Sequence, residues 1–179
     1  SAMVTNPINK STLYDAGFSY PGHTEYLAGQ TNTKKPPVMM ITTPSLRVVP
    51  ATVHLSLREA IDSLSIDKLL LCTFTTARAL KQDFGINQPR IAFASLNPHA
   101  GEQGFLGREE IEIITPAINQ LQAAGLNVSG PFPSDTLFHK RARKKYDVII
   151  CMYHDQALIP VKTLDFYNGV NITLGLPIV

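Results

Sequence analysis

The sequence predicts an α/β fold of three layers, in which helices cover both faces of a parallel or mixed β-sheet. Strand-like runs alternate along the chain with helical segments, which is the pattern of βαβ units. Residues 147–153 are apolar almost without a break, as expected for a strand that is buried on both faces. The 179 residues are 44% hydrophobic and 17% charged, so the chain can bury a sizeable core.

The first third of the chain predicts two short helices and a hairpin. Residues 7–17 form a helix between a proline at its start and a glycine at its end, and residues 21–25 open a second helix. Residues 38–42 and 46–49 are β-rich and flank a turn, which indicates a hairpin. Because Pro50 has no backbone N–H, we expect the second strand of this hairpin towards the edge of the sheet.

A long helical segment and the remaining strands follow. Ser56 and Glu59 form a capping box that begins the helix, and apolar residues recur at helical spacing over residues 66–84 before a glycine ends it. A second helix over residues 109–124 contains Pro116, which should kink or restart it. Four further segments are strand-like: residues 90–95, 128–132, 147–153 and 170–174.

Composition and charge exclude several classes of protein. The formal net charge of +2 is too small to indicate nucleic acid as the main partner, and the basic cluster at residues 140–145 lacks interleaved aromatic side chains. Uncharged apolar stretches reach only about six residues, against the roughly 18 of a membrane span. Cys72 and Cys151 lie in apolar runs, so we expect buried thiols and a cytoplasmic location rather than disulfides.

Three histidines are candidate metal ligands. His54 directly precedes the capped helix, whereas His99 and His154 each follow a predicted strand. Ligands of open α/β sheets gather at the carboxyl ends of the strands, where His99 and His154 would project. Three imidazoles with an open fourth position make a catalytic divalent-metal site. The alternative is that each histidine is separately hydrogen-bonded, and the spacing alone does not match a local metal motif.

Carboxylates and glycines accompany these histidines. Asp155 adjoins His154, Glu102 follows His99 by three residues, and Asp135 lies in a turn after a strand. Such a carboxylate can orient an imidazole or accept a proton from a substrate hydroxyl, although Asp135 could instead cap a helix or close an Asx-turn. Three glycines recur after His99, but neither dinucleotide-binding nor Walker spacing is present, so a flexible loop is favoured over a phosphate site.

Seven motifs carry a resemblance to a known family. They are VTNPINK at residues 4–10, PGHTE at 21–25, ATVHL at 51–55, LNPHAGE at 96–102, GP with DTLF between 130 and 138, MYHDQ at 152–156 and GVNITLGLP at 169–177. Together and in this order they resemble the 4-hydroxythreonine-4-phosphate dehydrogenase family of pyridoxal phosphate synthesis. The resemblance implies a fold like that of isocitrate and isopropylmalate dehydrogenases and a homodimer with a shared active site.

The resemblance also implies a role for nine residues. The metal ligands would be His54, His99 and His154, the last supplied across the dimer interface. The substrate contacts would be His23, Thr24, Lys162 and Asn171. Asp135 and Asp155 would be the catalytic carboxylates beside the metal, and no nucleotide-binding residue is assigned.

The activity implied by the resemblance is an oxidation. With NAD or NADP and a divalent metal (zinc, cobalt, magnesium or nickel), 4-phosphohydroxy-L-threonine would become 2-amino-3-oxo-4-phosphohydroxybutyrate, which decarboxylates to 3-amino-2-oxopropyl phosphate. Alternatives are a related metal-dependent dehydrogenase of another hydroxy acid, such as a four-carbon sugar acid phosphate or a carboxylated ring diol, and a histidine-ligated metal hydrolase or lyase. The chain by itself could also be a non-catalytic folded fragment.

The ends of the sequence indicate an excised portion of a longer protein. Residues 1–3 resemble a cloning remnant, and residues 4–179 would be the central portion of the dehydrogenase, mainly one α/β domain with part of a second. Because the chain has no G-x-G-x-x-G turn, we expect it to fold but to bind NAD weakly or not at all.

Overall fold

The computed structural model describes residues 4, 9–20, 23–31 and 36–177. Within this part of the chain, six strands form one mixed sheet in the order β4-β3-β5-β2-β1-β6. The strands are β1 (Val38–Thr43), β2 (Leu46–Pro50), β3 (Ile91–Ala94), β4 (Val128–Phe132), β5 (Val148–Cys151) and β6 (Val170–Leu174). Neighbours among β2 to β5 run parallel, whereas β1 is antiparallel to β2 and to β6. The predicted mixed α/β sheet is therefore confirmed.

The described residues also contain seven α-helices, of which two precede β1 and five lie between later strands. They are α1 (Lys10–Asp15), α2 (His23–Gln30), α3 (Leu57–Asp62), α4 (Ile66–Gln82), α5 (Thr115–Ala123), α6 (Lys140–Arg143) and α7 (His154–Leu164). The hairpin is confirmed, and α1 and α2 confirm a helix in each of the two amino-terminal segments, although the predicted starts at residues 7 and 21 lie outside the described residues. The sequence analysis did not predict α6 or α7.

Two expectations about these elements are wrong. The capping box of Ser56 begins only the short α3, and α4 is a separate helix whose N-cap, Ser65, accepts a hydrogen bond from Lys68 N at 3.3 Å. Pro50 does not mark an edge, because β2 lies between β1 and β5. The register of β2 with β1 ends at Val48, so the N–H that Pro50 lacks is not needed for that ladder.

The regular helix is interrupted next to Pro116, as predicted. Residues Glu110–Ile114 form one π-helical turn, and the backbone continues in helical conformation into α5 at Thr115, with Pro116 in the first turn of α5. Such irregular turns accompany a proline in a helix because the proline has no N–H to donate.

Side chains of the sheet alternate between two apolar layers. Along β5, Val148 and Ile150 pack with α4 and α5 on one face, whereas Ile149 and Cys151 pack with α7 on the other. The central strand is buried throughout, which confirms the interpretation of residues 147–153. Because helices cover both faces of the sheet, the loops between elements meet at the two ends of the parallel strands.

Both cysteines are free and buried. Burial raises the pKa of the Cys72 thiol to about 12 and raises the pKa of Cys151 as well, so both thiols are protonated at neutral pH. Among the described residues, no helix combines the length and apolar character that crossing a membrane requires. The division of residues 4–179 into one domain and part of a second stays a prediction, and residues 1–3 lie outside the described residues.

Candidate active site at the carboxyl edge of the sheet

Four neighbouring parallel strands end in loops that carry the predicted site residues. Across the edge, Asp135 follows β4, His99 follows β3, His154 follows β5, and His54 follows β2. The sheet order therefore brings residues from four distant parts of the sequence to one edge. This is the edge at which open α/β sheets bind ligands.

His54 and His154 lie side by side. Their ring centroids are 6.0 Å apart, with the ring planes inclined at 40°. Both line a pocket of about 230 Å³, together with Thr52, Leu55, Leu57, Ala60, Tyr153 and Asp155. Two imidazoles that bind one tetrahedral ion have centroids roughly 5 Å apart, so this pair needs only a small adjustment to share a cation.

Asp155 fixes the orientation of the His154 ring. Its Oδ1 lies 2.7 Å from Nδ1 of His154, which donates to the carboxylate when that nitrogen carries the proton. The other ring nitrogen, Nε2, is then the one with a free lone pair. A carboxylate behind an imidazole is the usual support of a metal-binding histidine.

His99 is not gathered with this pair. No group of three or more histidine, cysteine, aspartate or glutamate side chains that could hold a metal ion occurs in the described ranges. His99 lies exposed in the loop after β3, on backbone with φ 52°, and His54 also has a positive φ, 55°. The three-histidine site stays a prediction. The supply of His154 by a second chain also stays a prediction, and the His54 and His154 that lie side by side in this structure belong to one chain.

Asp135 lies exposed in a one-turn 3-10 helix, Ser134–Thr136, after β4. The residue at the N-cap of this turn is Pro133, and no side-chain hydrogen bond of Asp135 occurs in the described part of the chain. The capping alternative for Asp135 is therefore not observed. Its carboxylate faces solvent at the same edge as the histidines.

The predicted substrate contacts belong to three elements, α7, β6 and α2. Lys162 is exposed on α7, about 12 Å along the helix axis from His154 at 1.5 Å per residue, with its ammonium 5.7 Å from the Phe166 ring. Asn171 is exposed on the edge strand β6. His23 and Thr24 begin α2, and their side chains lie outside what the structure describes.

A buried polar network, not predicted from the sequence, ties the edge together. Gln156 Nε2 donates to Ser95 O at 2.7 Å and to Ser134 Oγ at 2.9 Å, while its Oε1 accepts from Met152 N at 2.6 Å. Thr52 Oγ1 donates to Met152 O at 2.8 Å. The network thus joins the loops that carry His54, His99, Asp135 and His154. The one feature of the sequence that could have indicated this network is Gln156, which lies two residues after His154 at the end of an apolar strand.

The fold and the site define an α/β protein whose polar loops converge at the carboxyl edge of a mixed sheet. The family model of the pyridoxal phosphate biosynthetic protein PdxA matches residues 1–179, and the chain belongs to this family. A 4-hydroxythreonine-4-phosphate dehydrogenase from Caulobacter vibrioides is 55% identical over the whole chain, which covers 55% of that relative. The chain therefore spans about half the length of the curated relatives it matches.

Solved structures give the same relationship. A crystal structure of 4-hydroxythreonine-4-phosphate dehydrogenase from Klebsiella pneumoniae matches with a TM-score of 0.89 and 46% identity, covering 97% of this chain and 52% of that one. A terephthalate 1,2-cis-dihydrodiol dehydrogenase from Burkholderia xenovorans matches with a TM-score of 0.79 and 28% identity, covering 90% of this chain and 52% of that one.

Proposed function

We propose that the full-length protein containing this chain is an NAD(P)-dependent, divalent-metal-assisted 4-hydroxythreonine-4-phosphate dehydrogenase. It would oxidise 4-phosphohydroxy-L-threonine, and the product would decarboxylate to 3-amino-2-oxopropyl phosphate. The observation that carries the proposal is the adjacent pair of His54 and His154, with Asp155 oriented behind one ring. The family names of the close relatives supply the substrate.

The donor set fits a divalent metal. Two imidazoles lie within reach of a common ion, and His99 on the neighbouring loop is the proposed third ligand. Imidazole ligands suit zinc, cobalt or nickel better than magnesium, which prefers oxygen donors. When bound, such an ion would supply positive charge that stabilises an alkoxide developing on the substrate.

The chain's own residues divide the remaining work. Asp155 holds the His154 ring in one orientation, and the exposed carboxylate of Asp135 would accept a proton from the substrate hydroxyl. Lys162 would offer a positive charge to the substrate phosphate, with neutral or imidazole donors from His23, Thr24 and Asn171. Because Lys162 lies about 12 Å along α7 from His154, we propose that a homodimer completes the site.

Free, buried thiols agree with the proposed cytoplasmic location, where disulfides are rare. The partner of the site is a small phosphorylated amino acid. No nucleic-acid or membrane partner is proposed.

Metal binding tests the site. In the full-length protein, His54→Ala and His154→Ala should each weaken zinc binding, measured by competition with a chromophoric chelator. His139→Ala is the matched control, because His139 is an exposed histidine at the start of α6 and forms no capping hydrogen bond. Equal zinc affinity in all three variants would refute the metal site.

Turnover tests the reaction. The full-length protein should reduce NAD or NADP when given 4-phosphohydroxy-L-threonine and a divalent metal, detected by the absorbance of the reduced nicotinamide. Lys162→Ala should raise KM for this substrate with little change in melting temperature. Product formation without nucleotide reduction would favour the hydrolase or lyase, and turnover of only unphosphorylated hydroxy acids would favour the related dehydrogenases.

A further inference from the structure

The loop that carries His99 has an unusual backbone. Six consecutive residues, 99–104, have positive φ, and four of them are not glycine. Residues with a side chain visit this left-handed region singly, because Cβ then crowds the following carbonyl oxygen. A run of this length needs contacts from outside the segment to hold it.

Glu110 supplies those contacts. Its side chain is on the π-helical turn and is buried, with only 3% of the residue exposed. Oε1 accepts hydrogen bonds from the backbone N–H groups of Leu96, at 2.8 Å, and Asn97, at 2.7 Å. Oε2 accepts from Asn97 Nδ2 at 2.9 Å. The carboxylate therefore hydrogen-bonds to the two residues, Leu96 and Asn97, that precede this left-handed segment.

The glycines of this loop make room for that carboxylate. A Cβ on Gly101 would lie 2.6 Å from Oε2 of Glu110, and a Cβ on Gly107 would overlap the side chain of Asn97. Both glycines also have positive φ, 77° and 130°. The sequence favoured a free, flexible loop here, but the structure shows one that is anchored around a buried acid.

Hydrogen bonding is the role of Glu110, since the ion pairs of the described residues do not include it. A carboxylate can accept at both oxygens, as this geometry requires. A glutamine in its place would turn an N–H group towards one of the N–H donors of residues 96 and 97. The amide is therefore a nearly isosteric substitution that breaks the contact.

We propose that Glu110 is a positioning residue, which holds the His99 loop so that His99 can join the metal site at the carboxyl edge. The inference rests on the proposed function, because it needs His99 to be a metal ligand. Glu110 itself does not touch the metal or the substrate. It acts only through the backbone that places His99.

A double-mutant cycle tests this role. In the full-length protein, Glu110→Gln should weaken Co²⁺ affinity by about tenfold, the scale seen when the support of a metal ligand is removed. Glu112→Gln is the matched control, because Glu112 is an exposed acid on the same turn and pairs with Arg108. The Co²⁺ affinity of this variant should match that of the unaltered protein. In a His99→Ala background, Glu110→Gln should have no further effect on Co²⁺ affinity.

Each other outcome overturns a specific statement. An equal loss of Co²⁺ affinity from Glu110→Gln with and without His99 would mean a general structural effect and refute the positioning role. Normal affinity in Glu110→Gln, with His99→Ala impaired, would also refute it and leave the metal site intact. Unchanged affinity in His99→Ala would refute the positioning role together with the assignment of His99 as the third ligand, and the proposed function would still be decided by the His54 and His154 variants.

Asn97→Ala covers the case in which Glu110→Gln does not fold. This substitution removes one of the three hydrogen bonds to the Glu110 carboxylate and also the 2.6 Å bond from Asn97 Nδ2 to Glu109 Oε2, and it leaves both backbone bonds to Glu110 in place. It should weaken Co²⁺ binding only when His99 is present. A loss that does not depend on His99 would again refute the positioning role.

Discussion

His54 and His99 have backbone conformations that residues with a side chain seldom adopt. Their φ angles are 55° and 52°, and each costs roughly 1 kcal/mol relative to an ordinary conformation. Residues held in this way cluster at functional sites. The sequence identified both histidines by their position and motif, but it did not predict their φ angles, because histidine is enriched at positive φ and yet only a small fraction of histidines adopt it.

Replacing His54 by glycine should therefore stabilise the fold relative to alanine. Glycine adopts a positive φ at no steric cost, so we expect His54→Gly to have a free energy of unfolding about 1 kcal/mol above that of His54→Ala. Urea unfolding of both variants measures the difference. At Arg78, an exposed position within α4, the order should reverse, since glycine weakens a helix interior. If the glycine variant were the more stable, or the less stable, of the two at both positions, the result would contradict the backbone strain at His54.

At the scale of elements, the site depends on how strand ends are tied to each other. The positions of all six strands were predicted, because apolar runs bounded by turn residues identify strands. The break between α3 and α4 was not predicted. The apolar residues from Ile66 to Phe84 recur at helical spacing, so they look like a continuation of the helix that the Ser56 capping box begins, and the short turn before Ser65 is not evident from the sequence. Helix α7 was also missed, since Pro160 lies inside it.

Gln156, at the start of α7, should be the most sensitive polar residue of this network. Gln156→Met keeps the length of the side chain but leaves the buried Met152 N–H without its partner, while Ser95 O loses one of its two donors and keeps Ser134 Oγ at 2.8 Å. We therefore expect a loss of about 2 to 3 kcal/mol in the free energy of unfolding. Gln122→Met is the control, because the exposed Gln122 makes one bond, to Val128 O, and should cost about 1 kcal/mol. Equal losses in denaturant unfolding would contradict the importance of the network.

At the scale of the whole molecule, the two ends of the parallel strands serve different purposes. The carboxyl edge carries the candidate site, whereas the amino ends of β3 and β5 are joined by Arg90 and Asp147, whose Nη2 and Oδ1 are 2.9 Å apart. Hydrogen bonds from the Arg90 side chain, followed by its backbone N–H, hold the pKa of Asp147 below its usual value. This pair lies outside the family motifs and was not predicted.

Asp147 should make the fold sensitive to acid. A carboxyl group whose pKa is lowered by folding stabilises the protein above its unfolded pKa of about 3.9, and that stabilisation is lost as the pH falls through the lower folded pKa. The free energy of unfolding of Asp147→Asn should therefore be below that of the unaltered protein at neutral pH and approach it in acid. Chemical denaturation at several pH values measures this. A constant difference at every pH would contradict the expected linkage.

Nucleotide binding should depend on sequence outside this chain. The 179 residues cover 55% of the Caulobacter relative and contain no G-x-G-x-x-G turn. We expect NAD to bind the full-length protein, and to bind the isolated chain at least about tenfold more weakly, as measured by calorimetry. Equal affinity in both would place the nucleotide site within residues 4–179.

The bond from Thr52 to Met152 joins residues that are 100 positions apart in the chain. Strand β2, which leads to His54, gains its parallel neighbour only when β5 has been made and has docked beside it. Closure of so long a loop is slow compared with the formation of helices and hairpins. During synthesis on the ribosome, the earlier hairpin can therefore form first, whereas the paired histidines cannot exist until His154 has left the exit tunnel. A nascent chain that stops before β5 carries the first histidine of the pair with no site around it.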